Sequence, residues 1–483
     1  MHRISAPLLC AAIAFGLLGS AKGLDEGLIA TTVNLPSFIH QYGLEDKDLS
    51  GSDAANRLST ITSMVHLGSL PGALVAYLSG DRIGPLWAMR QLCMLWIVGV
   101  IIVLASGGSY AQLIAGRCIM GIGIGQAGII APTYLAEVAS ARHRGLLVGL
   151  FSTSEYVGIV LGYFAGYGAS IHQSDHSSRQ WVLPQASQII MAGLLLLTSF
   201  GCVDSPRYLC KTRHPEQAAH ALSRLRRWSR SDSRVTKEIE LIQTHMSTNQ
   251  RRNTFLEPWK NLFGQSANRS RMAFLLSAQL LSQWSGTNAI TTYAPKFFSI
   301  LGISSTRESL LSTAIFGLVK LAAALVSAAF FLDRIGRKRS LVAGITLQLL
   351  ALLYVAIYLT VLSGDTDTHR PGSHGAAVGA IVSVYVTGVG YAFGWNSVQY
   401  LLNAEFLPDS VRTLGTSILM CVHYANRFAL VKAVPSMMLP GALHPNGTFW
   451  FFAAIAFLSV LWAVFLLPET ARRELEEAGE VIT

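Results

Sequence analysis

Charge is what this sequence has least of. Of its 483 residues, 13% are Asp, Glu, Lys or Arg, about half the share expected of a soluble domain. A soluble chain of this length folds as two to four domains, and so few charges do not cover their surfaces. Cysteine is scarce as well. The six (10, 93, 118, 202, 210 and 421) form no C-x-x-C pair and no metal-ligand spacing, so neither a disulfide framework nor a metal site is expected, and no cofactor is implied. Low-complexity tracts are absent. So are a His-Glu-x-x-His run, a Gly-x-Ser-x-Gly elbow and paired carboxylates in a reaction geometry, which argues against a membrane enzyme.

Apolar residues are what the chain has in excess, at 51% of the total. A bilayer span needs ~20 of them, so twelve spans would use ~240, close to the whole stock. Apolar periodicity predicts helices at 5–32, 59–79, 86–107, 109–133, 145–168 and 185–203, and again at 272–293, 309–332, 340–362, 376–402, 413–437 and 448–467. The fold class is therefore all-α and polytopic. Residues 1–203 form one six-helix bundle, 204–271 a polar central segment with a helix-like run Pro215–Arg230, 272–467 a second six-helix bundle, and 468–483 a tail. Met1-His2-Arg3 and the apolar run to Ala21 also admit a cleaved signal peptide. Against it, the apolar pattern resumes at Leu28.

The formal net charge is +10, which on a soluble protein would suggest nucleic acid. Counted by loop, 26 of the 37 Lys and Arg fall on one side of the expected topology and six on the other. Lys and Arg accumulate on the cytoplasmic side, so both termini and the central segment are expected there, in a multi-pass protein of the plasma membrane. The basic balance is orientation, and no nucleic acid partner is expected. Asn446-Gly447-Thr448 is a glycosylation sequon in the last outside loop; Asn268-Arg269-Ser270 falls inside.

The tetrapeptide Asp-Arg-Ile-Gly occurs at 81–84 and at 333–336, each time between the second and third spans of a half. Matching halves are the mark of a parallel-repeat transporter with its site between them. Gly23-Leu24-Asp25-Glu26-Gly27, Gly116-Arg117 through Pro132 to Glu137 with Arg144-Gly145, Asp204-Ser205-Pro206-Arg207, Gln283-Trp284-Ser285-Gly286-Thr287-Asn288, Asp333 through Lys338, Glu405-Phe406-Leu407-Pro408 with Arg412, and Pro468-Glu469-Thr470 follow in order. In these motifs the chain resembles the sugar porter branch of the major facilitator superfamily, most closely its fungal, quinate-permease-like members.

That resemblance implies a major facilitator fold of twelve transmembrane helices, with a small solute, protons and the bilayer as partners, in a monomer. It implies a gating network of Asp81, Arg82, Glu137, Arg144, Asp204, Arg207, Asp333, Arg337, Glu405, Arg412 and Glu469 at the cytoplasmic helix ends. Pro85-Leu86 stands where the family carries Arg-Arg, which weakens the first copy. The resemblance also makes Asp25 and Arg117 a proton-coupling pair on the first and fourth spans.

Charges within spans are costly and usually face a cavity or a partner. Here they are Lys22, Asp25, Glu26, Arg117, Glu155, Lys320, Arg427 and Lys432. The family's substrate positions fall at Lys22, Ser152, Ser282, Gln283, Asn288, Lys320, Tyr400, Tyr424 and Arg427, with Glu155 one turn beyond Ser152. Most depart from the family's residue types, so a hexose in the family's usual pose is not expected. Two readings stay open. Three cations suit an anionic hydroxylated solute such as quinate; alternatively Lys22 pairs with Glu155 or Glu26 and the cavity takes a neutral sugar. Proton-coupled uptake by alternating access is the expected function, with a metabolite exporter or a non-transporting sugar sensor as alternatives.

Overall fold

The computed structural model describes all residues except 1–5, 46–48, 140–143, 213, 230–231, 251–256, 328–335, 365–373 and 469–483. Among the described residues every regular element is a helix. In the first half these are α1 (Ala6–Gly16), α2 (Leu18–Thr32), α3 (Pro36–Gln41), α4 (Gly51–Arg82), α5 (Pro85–Leu104), α6 (Tyr110–Val138), α7 (Arg144–His172) and α8 (Arg179–Ser199). The central segment folds as α9 (Pro206–Lys211), α10 (Pro215–Arg226), α11 (Ser233–Gln250) and α12 (Glu257–Gly264). The second half contains α13 (Ser266–Trp284), α14 (Thr287–Thr292), α15 (Ala294–Ile300), α16 (Thr306–Val326), α17 (Arg337–Gly364), α18 (His374–Phe393), α19 (Trp395–Phe406), α20 (Asp409–Met437) and α21 (His444–Phe465).

Nine described helices are long and apolar enough to cross a membrane. Two spans that fall short, α13 and α20, are the ones that carry Gln279, Gln283, His423 and Arg427, polar side chains that lower the hydropathy of the segment. Outward faces present bare apolar side chains such as Leu197, Phe200, Val361 and Phe465, a belt that suits lipid and not water. Within the first half α2 lies along α7, and α4 and α5 against α6; within the second, α17 packs on α18 and α21. The halves meet where α4 packs on α20 and α7 on α16.

Local chemistry explains the helix ends. Ser50 and Ser109 cap α4 and α6 by accepting from the backbone N–H groups of Asp53 and Gln112. Pro85 opens α5 directly after Gly84, whose φ is +83°. The helix-like run expected to Arg230 stops at Arg226, because Arg227 turns into the left-handed region at φ 56°. Asn446 corrects another expectation. It lies in the first turn of α21, not in a loop, and the buried Thr448 of its sequon donates its hydroxyl to His444 O. That helical geometry does not present the sequon as a surface loop would.

In the second half, two spans expected to be continuous are broken. The seventh splits at Ser285-Gly286, where φ of Gly286 is +92° and a Cβ would stand 2.4 Å from the Phe452 ring. Only glycine fits both demands. Gln348 repairs the break by donating to Ser285 O and to Thr287 Oγ1, both at 2.9 Å. The tenth span breaks at Gly394, between α18 and α19. Irregular backbone at membrane depth is tolerated where protein or a cavity surrounds it, and both breaks flank the central site.

Candidate functional site

Three charged side chains stand on one short stretch of α2, at Lys22, Asp25 and Glu26, and all are buried. Close helix packing puts them there. A Cβ at Gly23 would lie 1.8 Å from Glu155 O, so α2 and α7 touch backbone to backbone. That approach delivers Lys22 to Glu155, with Nζ 3.0 Å from Oε1. Asp25 turns toward α6, where Arg117 donates to both of its carboxylate oxygens at 3.3 and 3.4 Å. Glu26 instead reaches across to the second half, where Arg427 Nη2 lies 2.6 Å from Oε2. Removing one member of such a buried pair typically costs ~3–5 kcal/mol, because the other is left uncompensated.

Lys320 on α16 is different. Its Nζ donates to Thr291 Oγ1 at 2.8 Å and lies 4.8 and 5.4 Å from the Tyr156 and Phe316 ring centroids. Among the described residues no carboxylate comes within salt-bridge distance of it. The seven charges are thus unequally divided. All three carboxylates stand on the first half beside Lys22 and Arg117, leaving it one negative charge. The second half contributes Lys320 and Arg427, two positive charges and no described interior carboxylate.

Facing this cluster is a wall of amides and rings from the second half. Asn288 donates to Gln283 Oε1 at 2.8 Å and to Tyr391 OH at 3.3 Å. His423 Nδ1 lies 3.1 Å from Gln283 Nε2, 2.7 Å from Gln399 Nε2 and 3.1 Å from Gln279 Oε1. Gln399 also donates to Gln279, which donates to Asn403 Oδ1 at 3.3 Å. Glu26 Oε1, Asn396 Nδ2 and His423 Nε2 are buried without a hydrogen-bond partner among the described residues. Amides and an imidazole supply both donors and acceptors, which is what hydroxyl recognition needs.

The space enclosed between the halves is about 10 Å³, room for roughly one water molecule. Of the expected substrate residues, Lys22, Glu155, Asn288, Lys320 and Arg427 line it. Gln283 stands behind Asn288. Ser152 and Ser282 do not line it; their hydroxyls donate back to Gly149 O and Gln279 O in their own helices. Tyr424 does not either, and its hydroxyl donates to Gly125 O at 3.4 Å. The Tyr400 side chain lies outside the described set. Residues that sequence reasoning missed include Tyr156, Tyr391, Asn396, Gln399 and His423. One signal was available, since His423 and Arg427 share a face of α20 at a spacing of four.

At the ends of the bundle next to the central segment, Ser205 donates to Glu137, Tyr208 OH to Arg82 O at 3.3 Å, and Arg226 to Val138 O at 3.0 Å. The central segment therefore staples the ends of α4 and α6. Asp204 is partly buried, and that burial raises its carboxyl above the usual range. Arg207 is exposed, and Arg412 donates to Leu407 O at 3.1 Å. Of the expected gating residues, the side chains of Asp81, Arg144 and Glu405 lie outside the described set, as do Asp333 and Glu469.

The comparisons with known proteins agree with this architecture. A family model described as "Sugar (and other) transporter" matches residues 9–482. The quinate permease of Neurospora africana is 30% identical over 473 residues, covering 97% of this chain and 87% of that one. The quinate permease of Emericella nidulans is 28% identical over 459 residues, covering 94% and 84%. Among solved structures, the proton:xylose symporter XylE bound to 6-bromo-6-deoxy-D-glucose superposes with a TM-score of 0.82 at 21% identity, over 99% of each chain. A partially occluded, inward-open form of XylE from E. coli gives 0.80 at 20% identity, over 96% of this chain and 99% of that one. At that identity the likeness speaks for the fold alone. With a family model spanning nearly its whole length, the chain belongs to the sugar (and other) transporter family, as a secondary transporter of the sugar porter type with the major facilitator fold.

Proposed function

We propose that this transporter carries a small hydroxylated monoanion, quinate or a similar polyhydroxy carboxylate, together with a proton. The observation that carries the reading is the surplus of positive charge on the second half. Lys320 has no carboxylate partner among the described residues, and it stands with Arg427 beside a wall able to bind hydroxyls. The curated relatives named as quinate permeases support the same class of solute. A neutral sugar is the second reading, favoured by the internal pairing of Lys22 with Glu155 and of Arg427 with Glu26.

In this reading Asp25 carries the proton and Arg117 holds its carboxylate between turns; a nearby guanidinium favours the charged form, and loosening the contact favours protonation. Rocking of the halves about the central gap exposes the site alternately. Termini in the cytoplasm, supported by the Lys and Arg bias across the loops, a plasma-membrane location and a monomeric state complete the proposal. The test is uptake by reconstituted protein under an imposed pH gradient, comparing quinate, glucose and polyols. Quinate should accumulate, and Asp25→Asn should abolish accumulation while exchange continues. Accumulation by that variant would overturn the coupling role. Uptake of glucose alone would overturn the anionic substrate.

A further inference from the structure

The reading above leaves Glu26 without a task, although it makes the cross-half ion pair at the centre of the molecule. We propose that Glu26 is an internal stand-in for the substrate's carboxylate: it occupies the Arg427 side of the anion seat when the carrier is empty, and an arriving anion displaces it. This rests on the reading that the substrate is an anion.

Four observations support it. Lys22–Glu155 and Asp25–Arg117 lie within the first half, whereas Glu26–Arg427 joins α2 to α20. The pair must therefore part when the halves open. Arg427 and Lys320 both belong to the second half and both line the gap, so together they form a seat for one carboxylate. That gap, at about 10 Å³, does not admit a substrate carboxylate while Glu26 fills the Arg427 side. Finally, Glu26 is held through one oxygen. Oε2 meets Arg427 at 2.6 Å, while the buried Oε1 has no hydrogen-bond partner among the described residues. A carboxylate so held is replaceable by one that also brings hydroxyls to the amide wall.

The stand-in has a consequence for the transport cycle. Net transport requires the empty carrier to close and reopen on the other side. Closing over Arg427 and Lys320 without an anion would bury two uncompensated cations, a costly state. Glu26 neutralises one of them and lets the empty carrier return. It also competes with substrate, lowering apparent affinity by the fraction of time the seat is free.

The experiment compares wild type, Glu26→Gln and Glu26→Asp in liposomes, measuring quinate–quinate exchange and net downhill quinate efflux. Glu26→Gln should half-saturate at about tenfold lower quinate, as for a seat otherwise free about a tenth of the time, and its net efflux should fall about tenfold relative to exchange. Glu26→Asp keeps the charge but is shorter by a methylene, so it should fall between the two. If Glu26→Gln yields no folded protein, Glu26→Asp carries the test alone. Half-saturation and an efflux-to-exchange ratio like those of wild type, in a protein that exchanges quinate, overturn the stand-in and leave the anionic substrate intact. A wild type that exchanges glucose but no hydroxy acid overturns both.

Discussion

The two halves share a repeat but not a chemistry. In the first half α2 and α7 are locked backbone to backbone, and charges are settled in pairs: Lys22 with Glu155, Asp25 with Arg117. In the second half two spans are broken, at Gly286 and Gly394, and the interior is a hydrogen-bonded sheet of Gln, Asn, Tyr and His side chains with two cations. The difference teaches a division of labour. In the proposed cycle, paired charges on closely packed helices suit a proton site that changes state without repacking. The breaks bring Asn288, Tyr391 and Asn396 to the central gap, where amides and a ring hydroxyl offer both donors and acceptors.

The largest expected break in this comparison comes from Gly23→Ala. A Cβ there would stand 1.8 Å from Glu155 O, and a backbone atom cannot move aside as a flexible side chain can. Folded, monodisperse protein should be lost on size-exclusion chromatography, whereas Gly193→Ala, with nothing within 4 Å, should leave the profile unchanged. A normal profile for Gly23→Ala would show that the two helices are not locked.

Next in size is Lys320→Gln. Quinate should half-saturate at about tenfold or higher concentration, the loss of roughly one charge-assisted contact worth ~1.5–3 kcal/mol. Equal quinate affinity in both proteins would remove the charge argument from the second half. His423→Leu should then lower the melting temperature, because Gln283, Gln399 and Gln279 all contact its Nδ1. Stranded buried amides cost ~1–3 kcal/mol. An unchanged melting temperature would mean that the amides re-pair among themselves.

The smallest effect belongs to an ion pair outside both halves. Asp232 and Arg234 pair at 2.6 Å, and the Arg234 side chain brings the Asp232 carboxyl down to about 2. A depressed carboxyl contributes stability above its ordinary range and loses it as pH falls through about 2, so any contribution is in place at neutral pH. Water screens the exposed pair. Asp232→Asn should therefore leave the pH 7 melting temperature unchanged, the reference against which the buried pairs are judged.

Much of the architecture was legible in the residues, for physical reasons that differ by feature. The apolar runs had to be helices, because a backbone in lipid must bond to itself. The repeated Asp-Arg-Ile-Gly marked the halves. Asp25 and Arg117 were named together through the family resemblance, and they meet in the structure. The partner of Lys22 was open between Glu155 and Glu26, and no periodicity could choose. Ser152, Ser282 and Tyr424 fell on family positions yet do not line the gap, while Gln399 and His423 do.

By itself the sequence determined what is local: the helical spans, the uneven loop charge, and the scarcity of interior charge that makes each instance informative. Only the tertiary structure decided which interior charges pair. Lys22 and Glu26 stand four residues apart on one helix, near enough to pair with each other, and that Lys22 meets Glu155 and Glu26 meets Arg427 instead depends on the rotation of α2 against α7 and α20. That rotation is set by backbone contact at Gly23, a contact made by a residue with no side chain to announce it.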